Sequence, residues 1–274
     1  MGTLYLVATP IGNLEDITFR AVRTLREVAW IAAEDTRTAR ILLQHYDIHT
    51  PVVSFHEYSK RSRLEQLLGR LATEDGAFIS EAGTPAISDP GYALVVAALE
   101  HGFRVVPIPG PTAFVAALSV SGLPTTSFLF LGFLPSRPAG RRKVLTSVAE
   151  EPHTLVFYEA PHRLLASLRD MLAILGNRSL AIARELTKLH EEVWRGCLSD
   201  AIAHFEETGI RGEFTLVVAG TSSGPAARWS EEAVVRALAE RRDKGVPLSL
   251  AAGQVASLAG WNKREVYRLG LNRL

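Results

Sequence analysis

The chain has a single cysteine, Cys197, so no internal disulfide framework and no cysteine-built zinc cluster is available to it. It also lacks any apolar run as long as the roughly 18 residues a membrane span needs; the longest stretches are Tyr92 to Leu99 and Thr125 to Leu134. The opening Met1-Gly2-Thr3-Leu4-Tyr5-Leu6-Val7 has neither the basic region nor the long apolar region of a signal peptide, so export is not expected. A soluble protein of the reducing cytoplasm is the expectation. Absent too are a Gly-x-Gly-x-x-Gly fingerprint and a Gly-Lys-Ser/Thr phosphate cradle, which disfavours a dinucleotide or a nucleoside triphosphate as ligand. There is no internal repeat and no low-complexity tract. Net charge is only +1, although residues 226 to 274 hold nine Lys/Arg against five Asp/Glu, a local surplus that suits an anionic partner.

What the 274 residues do contain, with 47% of them apolar, is enough to bury one large or two medium cores. Up to residue 124, short strand-like runs alternate with amphipathic segments. Strands are expected over Leu4 to Ala8, Trp30 to Ala33, Val52 to Phe55, Ala77 to Ser80 and Arg104 to Ile108. Helical spacing fills Ile17 to Glu27, Thr36 to Tyr46, Arg61 to Leu71 and Ala93 to Gly102. This βαβ pattern predicts a mostly parallel sheet covered on both faces. A polar Gly/Pro joint at 121 to 127 predicts a domain boundary. Beyond it lie strands at Phe128 to Phe133, Thr154 to Tyr158, Leu180 to Arg184 and Phe214 to Ala219, with helices near 161 to 175 and 199 to 207. A linker from Thr221 then leads to three helices, Glu231 to Arg242, Leu248 to Leu258 and Lys263 to Leu269, which read either as a helix-turn-helix or as a small helical cap. The expected organisation is therefore α/β over 1–124, α/β over 125–222 and a basic helical segment over 223–274.

Three strands of the first half end in loops of small residues and prolines: Thr9-Pro10-Ile11-Gly12-Asn13, Ser80 to Gly91, and Pro109-Gly110-Pro111-Thr112-Ala113. In an open α/β sheet such loops lie at the carboxyl ends of the strands, where ligands bind, though simple turn geometry also explains each proline and glycine. They offer backbone groups and the hydroxyls of Thr9, Thr84 and Thr112 with almost no positive charge, which suits a compact adenosyl ligand better than a polyphosphate. Titratable candidates follow the same strands: Glu34, Asp35 and Arg37, then His56, Glu57 and Lys60. The second half adds Glu159, His162 and Arg163, and Arg184, Glu185 and Lys188. Asp35 ahead of Thr36 also reads as a helix N-cap, and a histidine ending a strand, like His56, also reads as a hydrogen-bonded structural group.

Thr9-Pro10-Ile11-Gly12-Asn13-Leu14, Ala33-Glu34-Asp35-Thr36-Arg37, Ser80-Glu81-Ala82-Gly83-Thr84-Pro85, Ser88-Asp89-Pro90-Gly91 and Pro109-Gly110-Pro111 together resemble the tetrapyrrole methylase-like family. Phe157-Tyr158-Glu159-Ala160-Pro161-His162-Arg163 and Ala183-Arg184-Glu185-Leu186-Thr187-Lys188 are similar to its small-subunit ribosomal RNA cytidine 2′-O-methyltransferase group, as is the Leu248 to Leu271 segment. One departure is visible, in that Glu81 stands where the family pattern has aspartate, which keeps the carboxylate and lengthens its reach. The resemblance spans nearly the whole chain. It implies two α/β domains of tetrapyrrole-methylase type with S-adenosyl-L-methionine in the cleft between them, a homodimer, no metal, and 16S rRNA of the small ribosomal subunit as substrate. Carried over position by position, Pro10, Thr84, Ile87, Thr112, Ala113, Tyr158 and Val218 would contact the cofactor. Glu34, Asp35, Arg37 and His56 would serve catalysis, and Arg163, Arg184 and Lys188 would contact RNA phosphate. A tetrapyrrole or protein side-chain methylase of the same fold, and a ligand-sensing nucleic-acid-binding regulator, are the competing expectations.

Overall fold

The computed structural model describes residues 1–55, 61–88, 91–221, 229–243, 245–259 and 261–273. Its first sheet is built from β1 (Thr3–Val7), β2 (Trp30–Ala33), β3 (Val52–Ser54), β4 (Gly76–Ile79) and β5 (Arg104–Ile108), in the order β3-β2-β4-β1-β5. Every pairing is parallel. All residues of β2 and β4 are buried, as parallel strands covered on both faces must be, and this is why they read as unbroken apolar runs. Consecutive residues serve opposite layers. Trp30, Ala32 and Phe78 pack with Leu67, Leu71 and Leu94 of α3 (Arg61–Leu71) and α4 (Tyr92–Glu100). Ile31, Ala33 and Ile79 face Leu25 and Leu43 of α1 (Phe19–Glu27) and α2 (Thr36–His45). Full burial of a ring such as Phe78 contributes about 2 kcal/mol.

Caps set where the helices begin. Thr18 accepts from Ala21 N to start α1, and Asp35 accepts from Arg37 N at 2.7 Å to start α2. The connection from β1 to β2 passes to one side of the sheet and that from β4 to β5 to the other, so the switch point of the topology lies between the neighbours β1 and β4. There Thr9 and Gly83 exchange two backbone hydrogen bonds of 2.9 Å, tying the two outgoing loops together.

The second sheet has the order β6-β7-β10-β8-β9, made of β6 (Phe128–Phe133), β7 (Thr154–Glu159), β8 (Ser179–Arg184), β9 (Glu192–Cys197) and β10 (Phe214–Val218). Only β6 and β7 run parallel; the other three pairings are antiparallel. One face carries α6 (Pro138–Ser147), α7 (Leu164–Leu175) and α8 (Leu198–Thr208), packed through Leu145, Phe157, Leu168, Met171, Ile182 and Phe205. Asp170 of α7 receives both Arg141 and Arg142 of α6, at 2.6 and 2.8 Å. The opposite face is covered by α5 (Ala113–Val120), which follows the last strand of the first sheet, through Ala117 and Leu118 against Val156, Ala181 and Val217.

The sequence pattern leaves three elements without a range. Ala113–Val120 is apolar at every position but Ser119, so it shows no amphipathic stripe. Pro138–Ser147 carries a glycine and three consecutive basic residues, so its apolar stripe is thin. Glu192–Cys197 is an edge strand with no buried residue, so it lacks the signature of a core strand.

Residues 1–219 form one compact unit that includes both sheets and the 121–127 joint. Residues 220–274 form another, with α9 (Glu231–Asp243), α10 (Leu248–Ala259) and α11 (Lys263–Arg273) closed around Val234, Leu238, Ala252, Val255 and Val266. Trp261 Nε1 donates to Trp229 O at 2.9 Å and fastens the start of this unit to its second turn. No described helix is long and apolar enough to cross a membrane.

Two glycines give a test of these constraints. Gly91, at φ 118°, would place a Cβ 2.3 Å from the Phe78 ring, whereas Gly69 lies in α3 with nothing within 4 Å of its added Cβ. Gly91→Ala is expected to destabilise the protein by about 2 kcal/mol or more, and Gly69→Ala to stabilise it by about 0.5–1 kcal/mol. Urea unfolding of both variants checks the opposite signs.

Candidate active site

A cavity of about 440 Å³ opens where the carboxyl ends of the first sheet meet the second sheet. The first sheet contributes Ile11, residues 81 to 84, Ile87 and Ser88, and the start of α5 contributes Thr112 and Ala113. Across from them stand Phe133 at the end of β6, Tyr158 to Pro161 at the end of β7, Ala183 and Leu186 from β8 and its loop, and Glu213 to Thr215 at the start of β10. Among the described residues, no lining residue is Lys or Arg.

The walls are held by unusual backbone and tight approaches. Ala86 and Ser88 in the loop after β4 have φ values of 68° and 59°, and Glu185 and Thr187 in the loop after β8 have 50° and 65°. For residues with a Cβ such conformations cost on the order of 1 kcal/mol each and persist where the surroundings over-determine them. Gly12 makes the second loop's approach possible: a Cβ there would lie 2.4 Å from Lys188 Cγ and 2.9 Å from Thr187 Oγ1. Thr84 Oγ1 and Thr112 Oγ1 are 2.6 Å apart, and Thr84 Oγ1 also donates to Pro111 O at 3.3 Å, so the loops after β4 and β5 share one hydroxyl pair. At the N-terminus of α5, Phe114 N donates to Tyr158 Oη at 3.3 Å, while the Phe114 ring stacks on Phe130 with centroids 4.3 Å apart.

Charged groups around the cavity are mostly committed to one another. The Glu159 carboxylate is 1% exposed and accepts from Ala160 N at 2.9 Å, from Ser167 Oγ and from Arg163, whose guanidinium is 16% exposed and reaches it at 2.6 Å. Lys188 Nζ pairs with Glu185 at 2.9 Å and Glu213 at 3.1 Å. Burial alone would lower the Lys188 ammonium, but its hydrogen bonds to the two carboxylates outweigh that and raise it. Glu185 is correspondingly lowered, burial being outweighed by Lys188 and by the Glu213 amide. Arg184 donates to Arg211 O at 2.8 Å and lies 3.5 Å from Glu192. Glu81 is the one cavity-lining carboxylate with no hydrogen bond or ion pair to a described residue.

The residues expected from sequence divide accordingly. Thr84, Ile87, Thr112, Ala113 and Tyr158 all line the cavity. Pro10 sits between Thr9, which makes the bridge to Gly83, and Ile11, which takes the lining position. Val218 is not brought to the cavity: it is fully buried opposite Leu155 and Leu180, because β10 runs antiparallel to its neighbours and turns its other end, Phe214 and Thr215, inward. Glu34 ends β2 beside Ile79, whose carbonyl receives its amide at 3.4 Å. Asp35 is lowered to about 2, first by the Arg37 guanidinium and then by the Arg37 amide, so the capping alternative describes its observed contacts. Arg37 is raised by Asp35 and also, at longer range, by the charge of Glu81. His56 lies outside the described residues. The expected phosphate ligand Arg163 is occupied by Glu159. Phe133, Ser88 and Thr215 were not singled out by sequence; their signal was position, at a strand end or in a loop already marked.

If the Arg163–Glu159 pair is structural, Arg163→Met leaves a buried carboxylate without its partner and lowers stability by about 3 kcal/mol. In that case the double variant with Glu159→Gln recovers part of the loss in urea unfolding. A guanidinium reserved for a ligand would leave stability unchanged.

Residues 3–202 match the family model of tetrapyrrole (corrin/porphyrin) methylases. A Synechocystis sp. protein named ribosomal RNA small subunit methyltransferase I is 50% identical over 99% of this chain and 98% of its own length. A protein of the same name from Thermotoga maritima is 50% identical over 80% of this chain and 99% of its own. Among solved structures, uroporphyrin-III C-methyltransferase from Thermus thermophilus, complexed with S-adenosyl homocysteine, superposes with a TM-score of 0.55 at 22% identity, covering 80% of this chain and 97% of that one, which demonstrates a common fold.

Proposed function

The chain belongs to the tetrapyrrole methylase family, and on that premise we propose that it is an S-adenosylmethionine-dependent methyltransferase of the small-subunit ribosomal RNA, acting on the ribose 2′-hydroxyl of a decoding-region cytidine in 16S rRNA. The observation that carries this reading is 50% identity over nearly the full length to a relative bearing an RNA-methyltransferase name, combined with a cavity whose described lining has carboxylates and hydroxyls but no cation. Such a lining repels phosphate and favours a positively charged sulfonium. Thr84, Ile87, Thr112, Ala113 and Tyr158 would hold the cofactor, with Ile11 beside Pro10 completing the wall.

Bound S-adenosylmethionine supplies the electrophilic methyl group together with its own leaving group. The protein's share is to orient the hydroxyl and to take its proton, since an alcohol is a very weak acid. Glu159 and Glu213 are engaged by Arg163 and Lys188, which leaves Glu81 as the cavity carboxylate placed to accept that proton. Arg37, within electrostatic reach of Glu81 and clamped by Asp35, is a positioning group, and Glu34 lies on the same strand edge. Arg184 and Lys188, both partly exposed, remain the phosphate contacts of this reading. The same reading makes the protein a cytoplasmic homodimer, and the apolar side chains Val115, Val120 and Phe128, exposed on α5 and β6, are the kind of surface a second copy covers.

Purified protein is expected to bind S-adenosylmethionine saturably in calorimetry and to transfer labelled methyl to unmodified small subunits at a single mapped cytidine. Absence of binding at millimolar cofactor would sink the proposal. Glu81→Gln should lower kcat by about 10²-fold or more while leaving cofactor Kd within about twofold. Asp35, lowered to about 2, is ionised throughout neutral pH, and what it contributes to stability is lost only as pH falls through that value. Asp35→Asn should therefore leave the shape of the pH–rate profile between about pH 6 and 9 unchanged; loss of a limb would make Asp35 the base.

A further inference from the structure

At the end of β6 the pairing with β7 slips. Phe130 stands opposite Val156, but the next matched pair is Phe133 with Tyr158, so β6 spends three steps where β7 spends two. The extra residue is accommodated at Gly132, whose φ is 60°. A Cβ at that position would lie 2.6 Å from Ser88 Oγ, and Ser88 itself has φ 59°, so the bulge of β6 and the loop after β4 are wedged against each other. Bulges of this kind re-aim side chains. In regular alternation residue 132 would follow Phe128 and Phe130 on their face; with the extra residue, Phe133 takes that place.

The outcome is a ring backed by Tyr158, which rests in turn on Phe130, and otherwise largely exposed. Tyr158 lies 5.1 Å from Phe130 and 5.4 Å from Phe133, centroid to centroid. Phe133 lines the cavity and is nevertheless 54% exposed, a costly way to place a large apolar group unless something covers it. The chain carries no charge between Arg104 and Arg137, and Arg137, exposed at the start of α6, makes no hydrogen bond or ion pair through its side chain to a described residue. An exposed aromatic ring lining a cavity, followed four residues later by a guanidinium with no partner among the described residues, has the two elements that capture one unstacked nucleotide: a face for the base and a cation for phosphate.

We propose that Phe133 is the stacking platform for the base of the target nucleotide, flipped out of its RNA context so that the attached ribose reaches the cavity. The assignment rests on the RNA-methyltransferase reading above. The competing occupant is the adenine of the cofactor, which would use the same ring from the inside. The two differ in which ligand loses affinity when the ring is removed.

The test compares wild-type protein with Phe133→Ala, Phe133→Leu and Phe133→Trp, measuring S-adenosylmethionine Kd by calorimetry without RNA, and kcat and KM with unmodified small subunits. Phe133→Ala is expected to raise KM for subunits about 10- to 100-fold with cofactor Kd within about twofold. Phe133→Trp should stay within about threefold of wild type, and Phe133→Leu, apolar but not planar, should behave like alanine; matched thermal unfolding of the Leu and Trp variants separates these effects from misfolding. Weakened cofactor binding with unchanged KM for subunits would make the ring a cofactor wall and overturn the proposal, as would full activity in Phe133→Leu. If wild-type protein binds the cofactor but methylates no subunit, the functional reading itself fails, and the platform with it.

Discussion

Two neighbouring parallel strands whose outgoing connections leave in opposite directions must part over a gap, because neither connection can cover both strand ends. In this protein that gap lies between β1 and β4, and the pair of backbone hydrogen bonds between Thr9 and Gly83 bridges its rim without filling it. The remainder of the site is arranged around that bridge. It fixes where Ile11 and Thr84 point, hence where the Thr84–Thr112 hydroxyl pair forms, hence the approach of α5 to Tyr158. Removing water from such a concave floor, whose described lining holds carboxylates and no Lys or Arg, is favourable for a neutral or cationic ligand and unfavourable for phosphate.

Around that floor, charge is handled by neutralisation in place. Glu159 is enclosed by a guanidinium, an amide and a hydroxyl, and Lys188 by two carboxylates. A buried carboxylate stripped of its partners is far more costly than an exposed one, so Glu159 and Arg163 behave as fixed parts of the wall, while Lys188 keeps an exposed side. Against that background Glu81, a carboxylate with no hydrogen bond or ion pair to a described residue, is chemically conspicuous. Its charge is felt at longer range by Arg37, and the segments that carry the two follow β4 and β2, which are neighbours in the sheet.

The first sheet was legible in the sequence because its signals are local: buried parallel strands read as apolar runs, and proline- and glycine-rich loops mark their carboxyl ends. Thr84, Ile87, Thr112 and Ala113 followed from that rule with the family motifs laid upon it. The second sheet was less legible because its contributions depend on strand direction, which only long-range pairing decides. Val218 and Thr215 lie on the same short strand, and nothing within that strand says which end turns toward the ligand. The ionic partners were hidden for the same reason: Lys188 and Glu213 are 25 residues apart, and Glu159 finds Ser167 only once α7 is in place. Asp35 was ambiguous in sequence between capping and catalysis, and its contacts with Arg37 display the cap.

Helix α5 comes last among the elements of the first half in chain order, yet its apolar side is packed against Val156, Ala181 and Val217 of the second sheet. The second sheet cannot retain a complete core on that face if this helix detaches, whereas the cores of the first sheet contain none of its side chains. The second sheet thereby depends on a helix that follows the first: local opening at α5 uncovers it and dissolves the Tyr158 contact in the same event. Amide protection along β7, β8 and β10 is consequently tied to a segment that follows the other sheet in the chain, and residues 1–219 form a single compact unit despite containing two sheets.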